Sequence, residues 1–367
     1  MKKHKENRSR SEKRFFSDSE FATATVIGAV LLLGIIFSVL TILWVGSVPE
    51  WKNDAEYSHM DDVWEDMAEL KSRIDIMSIV MASSSNPSPI SSNSSPISSN
   101  SSPINSNSSP INPLYLDPSA PKLVTSVPFH LGGGGIPLIS SMKSSGTLAI
   151  NKGKCVMSII VNREGAAPYI KSIDCGTITF TSQNTQYVDQ VFSYENGALI
   201  LDQREQSVMM LYPSIRLSNV STSGHNEYNV SINAISVGQR PRAPIEIISS
   251  NSECSLRLTG IDHTFDYISV NASEKKNSGN KNKDAENVNK LTLIITSNYP
   301  DAWMLHLNKT IEGAGIGPEK YKVERLTGNN VRLTFYMAND GKKVDPDILR
   351  LYVGETVIKA EPGIGLN

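Results

Sequence analysis

Residues 21–51 read FATATVIGAVLLLGIIFSVLTILWVGSVPEW, and no charged residue occurs between Phe21 and Pro49. At ~1.5 Å per residue, a helix of about 28 such residues is longer than the ~30 Å thickness of the hydrocarbon core of a bilayer. A secretory signal has a shorter apolar stretch of ~7–15 residues followed by a small-residue cleavage site, which WVGSVPEW does not offer. The pattern therefore predicts a retained transmembrane helix over residues 21–48.

The charges on the two sides of this stretch differ in sign. Lys and Arg outnumber Asp and Glu in the tail, residues 1–20, whereas acids dominate residues 50–69. Positive flanks stay in the cytoplasm, so we expect a single-pass protein of the cell membrane with a cytoplasmic N-terminus and an extracellular C-terminal domain. The net charge of −2 gives no indication of a nucleic-acid partner.

Residues 50–81 continue the chain as a predicted amphipathic helix. Apolar residues recur at alternating intervals of three and four, and acids fill most other positions. The apolar stripe consists of Met60, Val63, Met67, Leu70, Ile74, Met77 and Met81. Such a stripe packs either on the protein's own domain or on a second copy in a coiled coil, and both interpretations stay open. Pro49 marks the place where one long helical rod would bend.

A Ser/Pro/Asn-rich tract occupies residues 82–121, in which Pro-Ile recurs every seven residues. Its few apolar side chains cannot offset the entropy of the chain, so the composition predicts an extended linker, or stalk. N-glycosylation sequons occur in this tract and in the domain that follows. The acceptor residues are Asn93, Asn100, Asn107, Asn219, Asn229, Asn271 and Asn308.

Residues 122–367 contain many short β-prone runs separated by Gly, Asn, Ser and Pro, among them CVMSIIV, GTITFTS, KLTLIITS and WMLHLN. Runs at intervals of about ten residues with no helical pattern between them are typical of antiparallel sandwiches. We predict a mainly β fold, an antiparallel β-sandwich-like ectodomain preceded by a long transmembrane plus amphipathic helix. Residues 272–290 nearly lack apolar side chains, which predicts a mobile loop.

The sequence offers few residues for chemistry. Cys155 and Cys175 are a candidate disulfide, although buried free thiols fit equally well. No Cys/His spacing typical of zinc sites occurs, and we expect no metal and no cofactor. His130, Asp262 and His263 are the candidates for an anchored hydrolase, but no nucleophile elbow accompanies them, so no catalytic residues are predicted.

The basic tail, the run TATVIGAVLLLGIIFSVL and the amphipathic continuation together resemble the N-terminal region of archaeal type IV pilins and archaellin-like surface proteins. The matching residues are Val26, Ile27 and Gly28. The segments LGGGGIPLISSMKSSGTLAIN and YENGALILDQREQSVMMLYPSIRL are similar to those of an uncharacterised family of pilin-like, membrane-anchored proteins of methanogens. The resemblance implies a β-rich ectodomain on a pilin-type helix at an archaeal cell surface.

In pilins a peptidase removes the basic tail, and the freed helices bundle into a filament. The resemblance places processing at Ser17, Ser19, Glu20 and Phe21. It places helix packing and self-association at Val26, Ile27, Gly28, Ala29 and Gly34. Glu20 and Thr25 depart from the bacterial pattern, which has glycine and glutamate at these positions.

The predicted function is a non-enzymatic, structural or adhesive cell-surface protein of pilin-like type, anchored or assembled through its N-terminal helix. The alternative is a membrane-anchored module that binds an extracellular ligand or partner and does not polymerise. The sequence does not define that ligand.

Overall fold

The structure is a computed structural model of the chain. It describes residues 17–85, 123–133, 144–164, 167–204, 206–222, 225–238, 244–271, 287–337 and 348–364. Its helices are α1 (Ser17–Gly46), α2 (Val48–Ser85) and α3 (Pro300–Gly313). Its strands are β1 (Val124–His130), β2 (Ser145–Ile150), β3 (Val156–Glu164), β4 (Tyr169–Asp174), β5 (Ile178–Gln183), β6 (Val191–Glu195), β7 (Ala198–Gln203), β8 (Gln206–Leu211), β9 (Ile215–Thr222), β10 (His225–Val237), β11 (Glu246–Ser250), β12 (Glu253–Asn271), β13 (Asn287–Thr296), β14 (Tyr321–Leu326), β15 (Asn330–Tyr336) and β16 (Ile348–Ile364).

The strands form three sheets. Sheet 1 has the order β1-β12-β16-β10-β9, sheet 2 the order β11-β2-β5-β6-β7-β8, and sheet 3 the order β14-β15-β13-β3-β4. Neighbouring strands in these sheets run antiparallel, except that β10 and β16 are parallel. The predicted mainly β fold, with antiparallel sheets after a long N-terminal helix, is confirmed.

Two apolar cores hold the sheets together. Core 1 joins sheet 3, α3 and the β7–β8 end of sheet 2 to one face of sheet 1, and it contains the fully buried Trp303. Core 2 joins α2 to sheet 2 and to the β1 side of sheet 1, and it contains Phe129, Phe180 and Tyr194. Because α2 supplies one wall of core 2, the helix is an integral part of the folded domain.

Helix α3 is an element that the sequence analysis missed. The run WMLHLN was predicted to be a strand, but its residues lie inside α3. Pro300 and Asp301 occupy the first turn, as is typical of helix N-termini. Trp303, Leu307 and Ile311 then recur every fourth residue and are fully buried in core 1. Since side chains four apart share one face of a helix, the strand prediction was wrong.

The Ser/Pro/Asn-rich tract does not separate the helices from the β domain. On its N-terminal side, the sulfur of Met81 would come within 2.7 Å of a Cβ placed on Gly260. On its C-terminal side, the Gly260 N–H donates to the Leu123 carbonyl at 2.8 Å. Both flanks therefore lie beside the same residue of β12.

Several predicted features fall outside the described residues. They include most of the tract, with Asn93, Asn100 and Asn107, and positions 272–286 of the predicted mobile loop. The last residues of that predicted loop, from Asn287 onward, belong to β13.

Candidate functional site: the exposed helix and its attachment

Helix α1 presents apolar side chains in every direction. Each residue from Ala24 to Gly46 is exposed, and Ile42 and Val45 are 72% and 74% exposed. An amphipathic helix of a water-soluble domain would bury one face, whereas residues 24–46 of this helix bury none. It is long and apolar enough to cross a membrane. The predicted transmembrane helix, residues 21–48, corresponds to α1, which runs from Ser17 to Gly46.

The residues assigned to processing and helix packing by resemblance all lie on α1. Ser17, Ser19, Glu20 and Phe21 form its beginning. Val26, Ile27, Gly28, Ala29 and Gly34 are exposed along its length. Among the described residues, nothing comes within 4 Å of a Cβ built on Gly28 or Gly34. This surface is therefore open to lipid or to another helix.

Helix α1 continues into α2 with one residue, Ser47, between them. The Ser47 N–H donates to the Leu43 carbonyl at 2.9 Å, and the Trp51 N–H donates to the Ser47 carbonyl at 3.0 Å. Pro49 lies in the first turn of α2, where a missing N–H costs little. The helical hydrogen bonds thus extend across the junction, and no flexible linker separates the exposed helix from the packed one.

The apolar stripe of α2 packs on the protein's own β domain. Its side chains are 0–3% exposed and belong to core 2; they are Met60, Val63, Met67, Leu70, Ile74 and Met77. Met81, the last residue of the stripe, is partly buried against Gly260. Of the two interpretations of this pattern, packing on the same chain is the one the structure shows. The stripe is therefore not available for a coiled coil between copies.

Glu56 fastens the N-terminal half of α2 to the loop between β5 and β6. Its carboxylate accepts hydrogen bonds from the backbone N–H groups of Thr185, Gln186 and Tyr187 at 2.7–3.1 Å. The Thr185 hydroxyl donates to it at 2.7 Å. Burial would raise the pKa of Glu56, but these hydrogen bonds outweigh that effect and lower it. The ionised carboxylate is therefore the form that holds the loop.

Asp66 makes a second attachment, to the end of β1. Its Oδ2 accepts from the His130 backbone N–H at 2.7 Å and from the His130 Nδ1 at 3.0 Å. His59, also on α2, donates from Nε2 to the His130 carbonyl at 2.8 Å. Burial would lower the pKa of His130, but its hydrogen bond and ion pair with Asp66 raise it overall. His130, a candidate for the hydrolase interpretation, thus joins α2 to the β domain.

A third attachment lies near the C-terminal end of α2. The hydroxyls of Ser78 and Thr356 are 2.8 Å apart, and the Asn233 amide donates to the Ser78 oxygen at 2.9 Å. The Thr356 hydroxyl is also 2.9 Å from His263 Nδ1. Ser78 is fully buried, so these groups form a closed polar contact between helix and sheet.

The hydrolase candidates do not come together. His130 pairs with Glu253 at one end of β12, whereas Asp262 and His263 lie farther along the same strand. Ten residues from Glu253 to His263 correspond to about 30 Å at ~3.3 Å per residue. Within the part of the chain that the structure describes, no group of His, Cys, Asp and Glu is arranged to hold a metal ion.

Cys155 and Cys175 lie side by side next to the β3–β4 ladder. The Cys175 N–H donates to the Cys155 carbonyl at 2.9 Å. Both side chains are buried free thiols, as is Cys254. A hydrogen bond between the two thiol side chains, together with burial, raises the pKa of the Cys155 thiol well above its ordinary value. The candidate disulfide pair is thus adjacent but unbonded in this structure.

The remaining sequons differ in position. Asn229 is partly exposed on β10, and Asn308 is partly buried on α3. Asn219 lies opposite Tyr228 on the core-facing side of sheet 1, and its amide oxygen is buried. Asn271 is the last residue of β12.

In comparisons with known proteins, no family model, no curated protein and no solved structure matches this chain.

Proposed function

We propose that this protein is a non-enzymatic cell-surface protein of pilin-like type with a structural or adhesive role, anchored in or assembled from the cell membrane through α1. The observation that carries the proposal is one continuous helical segment whose first half is apolar and exposed and whose second half lies in the domain core. The first half suits lipid or sister helices, and the second half fixes the β domain to it.

The charge pattern supports the direction of insertion. The basic residues of the tail, from Lys2 to Arg14, precede α1, and the acidic part of α2 follows it. By the positive-inside rule, the tail stays in the cytoplasm and the β domain lies outside. The resemblance to archaeal pilins favours an archaeal cell surface and helix-mediated assembly.

A second candidate is a single-pass anchored module that binds an extracellular ligand or partner as a single copy. Helix α1 serves this role equally well, because an all-round apolar helix needs only lipid around it. The two candidates differ in the fate of the tail: assembly into a filament requires its removal, whereas anchoring does not.

Membrane attachment is tested with the double variant Leu33→Arg, Ile36→Arg in the middle of α1. Both side chains are exposed and contact no core, so the β domain should still fold, while two arginines oppose insertion into lipid. The matched control, Ile245→Arg with Ile247→Arg, charges an equally exposed apolar pair beside and in β11. We expect the α1 variant to leave the alkali-resistant membrane fraction and the control to stay. Equal partitioning of both variants would overturn the anchoring proposal.

Mass spectrometry of the mature N-terminus separates the two candidates. A mature chain that begins near Phe21 supports assembly, whereas an intact tail supports the single-copy anchor. Protease added to intact cells should digest the β domain in either case, and full protection of that domain would refute the extracellular placement.

A further inference from the structure

Exposed aromatic rings lie on the outer face of sheet 1, beyond the part that α2 covers. Phe265 and Tyr267 on β12 are 47% and 49% exposed, and Tyr352 on β16 is partly exposed. The ring centroid of Tyr352 is 4.7 Å from that of Tyr267 and 6.3 Å from that of Phe265. The three rings form one continuous surface, and grouped exposed rings of this kind mark binding sites more often than isolated ones do.

Polar side chains extend this aromatic surface across the sheet. Tyr267 pairs with Tyr352, Tyr352 with Ser231, and Ser231 with Arg216. Directly paired residues project from the same face, so the four side chains form one row over β12, β16, β10 and β9. Three steps of ~4.8 Å between strands make the row about 14 Å long.

A second row runs beside the first one. Arg350 pairs with Asn229, and Asn229 pairs with Ser218. The guanidinium of Arg350 also contacts Glu227 at 3.2 Å. The opposite face of the same strands carries Leu351, Val230 and other core residues. The outer face is therefore a flat array of rings, hydroxyls, amides and guanidinium groups.

An open depression of about 680 Å³ lies over the polar end of this array. Its lining consists of Arg216, Ser218, Asn229, Ser231 and Tyr352, together with Ile215 and Leu217 of β9 and Thr310 of α3. The depression thus joins the tyrosine end of the first row to side chains that donate or accept hydrogen bonds.

We propose that this outer face of sheet 1 binds a polysaccharide. A hexose has an apolar C–H face that packs against an aromatic ring, and its rim of hydroxyl groups bonds to hydroxyl, amide and guanidinium groups. A purely apolar ligand would cover Ser231, Asn229 and Arg216 without satisfying them, at a cost for each buried polar group. A small charged ligand would leave the rings unused. A chain of sugars matches both halves of the row.

The proposal deepens the adhesive part of the proposed function, and it rests on that function only for the location of this face outside the cell. Binding itself is a property of sheet 1 and is measured apart from membrane attachment. Failure of the membrane-partition experiment would overturn the anchor and leave the polysaccharide result standing, and the reverse also holds.

The test uses affinity electrophoresis of the full chain in mild detergent through gels that contain a soluble β-glucan, a mannan or polygalacturonate. Tyr267→Thr removes an exposed ring and keeps a strand-forming residue. Tyr336→Thr is the matched control, because Tyr336 is an exposed tyrosine of sheet 3. We expect at least one gel to retard the native protein and Tyr267→Thr to weaken that binding about tenfold or more, as loss of an aromatic anchor does. Tyr336→Thr should bind as the native protein does.

Arg216→Gln identifies the class of polysaccharide. Selective loss of polygalacturonate binding in this variant assigns an acidic polysaccharide, whereas unchanged retardation by glucan or mannan assigns a neutral one. The proposal is overturned if no gel retards the native protein or if Tyr267→Thr and Tyr336→Thr behave alike.

Discussion

Replacing Glu195 with glutamine is expected to stabilise the β domain at neutral pH. Glu195 is fully buried at the end of β6, and its Oε2 accepts hydrogen bonds from the Ser297 hydroxyl at 2.5 Å and from the Trp303 Nε1 at 3.2 Å. Burial raises the pKa of Glu195 from its ordinary value of 4.5 to about 7, and the two hydrogen bonds offset only part of that effect. Glutamine keeps an acceptor for both donors and carries no charge.

The size and sign of the effect follow from the two pKa values. Below pH 4.5 the carboxyl group is protonated in both the folded and the unfolded chain. As the pH rises toward 7, the unfolded chain ionises first, so the folded state loses stability. At ~1.36 kcal/mol per pKa unit, the loss amounts to about 3 kcal/mol. The unfolding free energy of Glu195→Gln, relative to that of the native protein, should therefore rise by up to about 3 kcal/mol between pH 4 and pH 8.

Urea unfolding in mild detergent, followed through tryptophan fluorescence, to which the buried Trp303 contributes, measures this difference at several pH values. Glu312→Gln is the control, because Glu312 is exposed on α3 and its replacement removes a carboxylate without relieving burial. If the gain in Glu195→Gln is the same at pH 4 and pH 8, or if Glu312→Gln reproduces the pH-dependent gain, the burial argument fails.

Three further predictions concern α2 and the cysteines. Leu70→Ala should lower the unfolding free energy by about 3 kcal/mol, as for other buried leucines, whereas Leu33→Ala on the exposed α1 should change it little. Equal losses of unfolding free energy in the two variants would refute the packing of α2. Glu56→Ala should lower the amide protection factors of residues 185–187, and acidification should lower them in the native protein, because a lowered pKa makes the stabilisation disappear as the pH falls. Unchanged protection factors would contradict the attachment. Cys155 and Cys175 should resist diamide in the folded protein, because both thiols are buried and the raised pKa of Cys155 leaves little thiolate, and a loss of two hydrogens by mass in the folded protein would contradict it.

Features that depend on neighbouring residues could be predicted from the sequence. The apolar run of α1 and the stripe of α2 are local patterns, and both correspond to helices. Most β-prone runs are strands for the same reason. The run QSVMMLYPSIRL was treated as one strand, but it forms β8 of sheet 2 and β9 of sheet 1, with Pro213 in the segment between them.

Features that depend on distant residues could not be predicted. The parallel pairing of β10 with β16 joins residues more than a hundred positions apart. The acids of α2 suggested a solvated face, yet Glu56 and Asp66 are buried because Thr185 and His130 supply hydrogen bonds from other parts of the chain. Periodicity shows which face of a helix is apolar, but it does not show which acids find partners.

The near-continuous passage from α1 into α2 also constrains the geometry of the whole molecule. A domain on a flexible linker could rotate freely relative to α1. Here the 38 residues of α2 form a rigid rod about 57 Å long, at ~1.5 Å per residue. If α1 spans a bilayer, as proposed, any tilt of this helix would turn all three sheets through the same angle. Each copy would therefore hold the aromatic outer face of sheet 1 at a fixed distance from the membrane plane and in a fixed orientation to it.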